Sequence, residues 1–81
     1  MDDNNLAKAF GELVRLNRRK AKLTQAELAL LSGTGIRFII DLEAGKPTCQ
    51  LGMALRVGKT LGIHMVAGPG TADFSVPDIA P

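Results

Sequence analysis

Apolar residues recur at helical spacing in four stretches of this chain. The first, residues 6–21, sets Leu6, Phe10, Leu13, Val14 and Ala21 along one side of a helix, with Asn4 or Asn5 available to cap its start. The second begins at Thr24, which stands three residues before Glu27 as in a capping box, and it runs to Leu31 with Leu28 and Leu31 as its buried stripe. Ser32 and Gly33 end it. A third helix is expected over residues 35–44, closed by Gly45 in the left-handed position that ends many helices, and Pro47 forbids its continuation. The fourth takes Thr48 as its cap and carries Leu51, Ala54, Leu55, Val57 and Leu61 until Gly62 stops it, and it is expected to pack under the other three.

The period changes after Gly62. Ile63, His64, Met65, Val66 and Ala67 are too few for a helix and suit a β-strand bounded by glycines. A lone strand cannot satisfy its own backbone, and no other segment reads as its partner. Pairing of Ile63, His64, Met65 and Val66 with the same residues of a second chain across a two-fold axis solves this and enlarges the core. Residues 68–81 hold two glycines and three prolines and read as a flexible tail. The expected division is therefore a folded domain at 1–67 and a tail at 68–81. No internal repeat is visible.

At 81 residues the chain makes one small domain, whose single core supplies only roughly 3 to 5 kcal/mol without further help. Cys49 is the one cysteine, which excludes an internal disulfide and leaves no paired thiols for zinc. The start, Met1 through Asn5, is unlike a signal peptide. No apolar run approaches the about 20 residues that span a bilayer, so a cytoplasmic protein without membrane contact is expected.

Charge changes the picture more than composition does. All ten Lys and Arg lie from Lys8 to Lys59 against only four acids there, a net of +6, whereas the whole chain carries +2. Arg15, Arg18, Arg19, Lys20 and Lys22 fall within eight positions, the kind of cluster that forms an electrostatic footprint for nucleic acid. Two short helices joined by a tight turn at Ser32, Gly33 and Thr34, and preceded by a basic helix, fit a helix-turn-helix whose second helix enters the major groove. A catalytic reading finds little to use: His64 and Cys49 are isolated, with no phosphate loop, metal spacing or carboxylate pair beside them, so neither enzyme chemistry, metal nor cofactor is expected.

Thr24 to Ala29, Ser32 and Gly33, Phe38 and Ile39, and Asp41 to Lys46 together resemble the xenobiotic-response-element class of helix-turn-helix proteins, which includes Cro and the phage repressors. The similarity covers about residues 8 to 61. A strand after the fourth helix and the short length look like the HipB-type antitoxins of that class. The resemblance implies a four-helix, all-α fold with a short C-terminal strand paired across a homodimer. It also implies a sequence-specific repressor that binds a palindromic operator in duplex DNA and neutralises a HipA-type serine/threonine kinase toxin. A stand-alone regulator without a toxin, or a protein-interaction module with weak DNA binding, remains open.

Residue by residue, the resemblance implies that Gln25 contacts the DNA backbone and braces the recognition helix. Thr34, Gly35, Ile36 and Arg37 fall where the family presents that helix to base edges, with Ile40 and Asp41 one turn further, and Lys46 and Thr48 match a loop that grips phosphates. Arg18 and Glu43 match an ion pair that ties the first helix to the end of the third. On the third helix Ile39 and Leu42 should face the core with Phe38 beside them, which leaves Ile36 and Ile40 toward the groove, where the family more often has polar residues. Those two isoleucines suit a thymine methyl contact, a protein contact, or binding dominated by phosphates. Gly35 stands where a capping Ser or Thr is common, and Lys22 occupies a helix exit where Gly or Asn would be easier.

Overall fold

The computed structural model describes residues 3–63, and within them the chain forms four helices. These are α1 (Asp3–Lys20), α2 (Gln25–Ser32), α3 (Ile36–Glu43) and α4 (Leu51–Thr60). Helix α2 packs on α3 and α4, and α1 packs on α3. The core is small: Val14, Leu28, Ala29, Ile39, Leu42, Ala54 and Val57 are buried, with Phe10, Leu23, Phe38, Cys49, Leu61 and Ile63 packed around them. This matches the four-helix, all-α architecture expected from the pattern.

Local chemistry explains the two ends of α2. The Thr24 hydroxyl accepts from the Glu27 N–H at 3.0 Å while the Glu27 carboxylate accepts from the Thr24 N–H at 2.8 Å, so both orphan donors are satisfied reciprocally. Those hydrogen bonds hold the Glu27 carboxyl below its usual range. At the other end Gly33 takes φ 70°, a left-handed conformation, and the Thr34 N–H reaches back to the Ala29 carbonyl at 2.9 Å. Ser32, buried beside this turn, donates its hydroxyl to the Leu28 carbonyl at 2.7 Å.

Close approach, not side-chain interlocking alone, joins α1 to α3. A Cβ on Gly11 would lie 2.3 Å from the Leu42 carbonyl oxygen and 3.0 Å from that of Glu43. Only glycine lets the two backbones meet there.

Several expectations need correction. Helix α1 starts at Asp3, with Asn4 and Asn5 inside it instead of capping a helix that begins at Leu6; the polar first turn carries no periodic signal. Its apolar stripe also divides, because Val14 is buried while Leu6 and Leu13 are 53% and 42% exposed. On α2 the buried apolar pair is Leu28 and Ala29, and Leu31 is 62% exposed. An eight-residue helix with five apolar positions offers no clear period, so packing chooses the face. Thr48 does not cap α4. Residues 47–49 form a turn and Gln50 is the cap, without a side-chain hydrogen bond; three residues beyond Thr48 stands Leu51, which cannot return the reciprocal bond that Glu27 gives Thr24. Helix α4 leans on α2 more than on the other two.

Ile63 is packed against the core and lies outside any regular element. No strand occurs among the described residues. The remainder of the expected strand, with His64, Met65 and Val66, and the expected tail at 68–81 lie outside them.

Candidate nucleic-acid interface

The turn from α2 into α3 is built with little side-chain support. Gly35 caps α3 in an extended conformation, φ −89° and ψ 156°, and offers no side chain to the first-turn N–H groups. An added Cβ there would meet nothing within 4 Å. Thr34 is half-buried, its hydroxyl 3.2 Å from that of Ser32. Ile36 is exposed and Ile40 half-buried, while Ile39 and Leu42, on the adjoining face, fill the core. The helix therefore buries one apolar face and presents part of a second.

Three charged side chains meet on the presented face. Arg37 and Asp41 are one turn apart, with Nε 3.4 Å from Oδ1, and Lys46 brings Nζ within 3.7 Å of Oδ2. Arg37 is 81% exposed and Lys46 55%, so the two cations are solvated and their attraction to Asp41 is weak. Thr48 is exposed in the turn that follows. Cys49 borders the cluster: burial pushes its thiol up, Asp41 adds to that, and Lys46 opposes it.

A different carboxylate fixes the frame. Glu43, nearly buried at the end of α3, accepts from Arg18 through Nε at 2.6 Å and Nη2 at 3.0 Å, and from Gln25 through Nε2 at 3.2 Å. Arg18 also donates Nη1 to the Leu23 carbonyl at 2.9 Å, closing the connection between α1 and α2. The hydrogen bonds to Glu43 raise the Arg18 pKa, against desolvation that would lower it. One carboxylate thus joins the end of α1, the start of α2 and the end of α3. Gln25 is half-buried at the first position of α2, where its amide is oriented by this contact.

The basic cluster on α1 separates into two kinds of residue. Arg18 is committed to Glu43 and Arg15 pairs with Glu12 at 3.1 Å, whereas Arg19, Lys20 and Lys22 are exposed at the helix end and in the turn. Lys22 takes φ 60°, the one non-glycine in the left-handed region among the described residues. Arg56 was not legible in the sequence: it reaches from α4 to the Gly33 carbonyl at 3.4 Å, and a separation of 23 positions leaves no local signal. Among the described residues no group of three or more His, Cys, Asp or Glu could hold a metal ion, and no helix is long and apolar enough to cross a membrane.

Two short helices around a glycine turn, with an exposed second helix bearing an arginine, define a helix-turn-helix domain. No protein-family model matches the chain. The chain is similar to the uncharacterized HTH-type transcriptional regulator y4mF of Sinorhizobium fredii, with 52% identity over 62 residues that make up 75% of this chain and 82% of that protein. This chain belongs to the HTH-type transcriptional regulators, and its role is DNA-binding transcription regulation.

Proposed function

We propose that the protein is a homodimeric repressor of the phage-repressor class that reads a palindromic operator with α3. In this reading Arg37 and Lys46 leave Asp41 for DNA, Arg37 toward a guanine edge or a phosphate and Lys46 toward a phosphate, with Thr48 beside it. Gln25 contacts the backbone from the start of α2, and Thr34, Gly35, Ile36 and Ile40 lie against the groove. The observation that carries the reading is the exposed Arg37–Asp41–Lys46 cluster on the one face of α3 that the core leaves open. Two such helices in a dimer would enter successive major grooves about 34 Å apart, and repression would follow from occlusion of a promoter.

The finer assignment is that of a HipB-type antitoxin, which binds and neutralises a HipA-type kinase encoded beside it. The motifs at Thr24 to Ala29 and Asp41 to Lys46 support the broader class, and the apolar segment after Gly62, with the short chain, supports the subfamily. Co-purification with the product of the adjacent gene tests it; a neighbour that is no kinase and does not bind leaves a stand-alone regulator.

Footprinting on the protein's own promoter tests operator binding. Arg37→Ala is expected to weaken operator binding by about 1 to 3 kcal/mol, measured by fluorescence anisotropy at fixed salt. Asp41→Asn removes the charge that restrains both cations and is expected to tighten binding to non-operator DNA several-fold, which reduces discrimination. Absence of any protected site would leave a protein-interaction module.

A further inference from the structure

Helices α1 and α4 diverge and leave a groove of about 500 Å³ between them, lined by Leu6, Phe10, Leu13, Leu51 and Leu55 with three alanines. No charged residue lines it. Leu6, Phe10 and Leu13 follow one another at i, i+4 and i+7 on α1, and Leu51 and Leu55 at i and i+4 on α4, so each helix offers a continuous apolar ridge. Leu6, Leu13 and Leu51 are 53%, 42% and 69% exposed. Scattered exposed leucines need no explanation, but a contiguous apolar groove marks an interaction surface.

We propose that a second copy of this chain docks on this groove across a two-fold axis, which makes it the main contact of the homodimer on which the functional reading rests. The place where the described chain stops favours that occupant. A Cβ on Gly58 would lie 3.5 Å from Phe10 Cζ and 3.8 Å from Ile63 Cβ, so Ile63, the last described residue, and Phe10, one wall of the groove, both pack against Gly58. The next residues, His64, Met65, Val66 and Ala67, are the segment whose sequence calls for a partner strand, and they follow Ile63 directly. A paired segment and a filled groove would form one surface. Orientation also fits, since no residue of α2 or α3 lines the groove, so closing it leaves both recognition helices uncovered. The need is energetic: only seven hydrophobic side chains are buried among the described residues, and an isologous contact extends that core without adding chain length.

Sedimentation equilibrium of the full chain, with helical circular dichroism as the check on folding, tests this. Leu51→Glu and Leu6→Gln both replace exposed residues that the core of one copy does not use. The wild type is expected to sediment as a dimer, and each folded variant to self-associate at least about tenfold more weakly, because a polar group is then buried at the contact. A wild type that stays monomeric, with the groove covered by its own residues 64–81 or by another protein, overturns the inference. So do variants that dimerise as the wild type does. Failure of the functional reading would look different: a dimer sensitive to both substitutions that protects no DNA keeps the interface and removes the operator.

Discussion

Gly11→Ala removes much of the stability of the fold. The added methyl would stand 2.3 Å from the Leu42 carbonyl oxygen, 3.0 Å from the Glu43 oxygen and 3.2 Å from the Glu43 carbonyl carbon. All three are backbone atoms of α3, so no side-chain rotation relieves the overlap and α1 must move away. That separates Val14 from Ile39 and Leu42, which belong with it to the seven buried core residues among those described. Overpacking of this kind costs about 1 to 3 kcal/mol, and backbone overlap places it at the upper end, against the roughly 3 to 5 kcal/mol that a core of this size supplies. Helix propensity alone gives the opposite sign, since alanine inside a helix is better than glycine by about 1 kcal/mol. Urea unfolding followed by circular dichroism decides between them; a variant as stable as the wild type would show that α1 and α3 can part without loss.

Glu43→Gln is the second large effect, with a cost of about 3 kcal/mol. Its carboxylate is 4% exposed and the Arg18 guanidinium 12%, so the neutral amide leaves a largely buried cation without its counter-charge. The mechanism makes a further statement that a simple packing defect does not. Replacing both partners with apolar residues, as in Arg18→Met with Glu43→Leu, should recover much of the loss, because a buried pair contributes little beyond its own desolvation. A double-mutant cycle in urea measures this. If the double variant is as unstable as the sum of the single ones, the two residues act separately. Glu43→Leu also removes the acceptor that orients Gln25, so DNA affinity should fall even in the double variant that regains stability.

The parts of this fold that were legible in the sequence are those whose partners lie within a turn of each other. Thr24 and Glu27 announce the start of α2 because both halves of the capping box are three residues apart, and Gly33 announces its end because only its own backbone is involved. Ile39 and Leu42 were readable as core because α3 has a marked apolar face. Arg37 and Asp41 could be set on one face from their spacing alone. What was not legible depends on residues distant in the chain. Nothing near Gly11 says that α3 will touch it, and nothing near Arg56 says that it reaches Gly33. Leu31 looked as buried as Leu28 because α2 is apolar almost all round, and only contact with α3 and α4 distinguishes them. Thr48 had the right chemistry for a cap but lacked the acid that completes one. The pairing of Arg18 with Glu43 came from family resemblance, since a separation of 25 residues carries no periodic signal.

The backbone at Lys22 opposes two demands on the protein. At φ 60° a lysine is held where glycine would sit without steric conflict, so a thermostability screen should favour glycine or asparagine there. Either replacement discards a cation from the cluster that, with Arg19 and Lys20, draws polyanions toward the surface at low salt. A hardier variant selected at this turn would therefore associate more slowly with its target, and its rate would depend less on ionic strength.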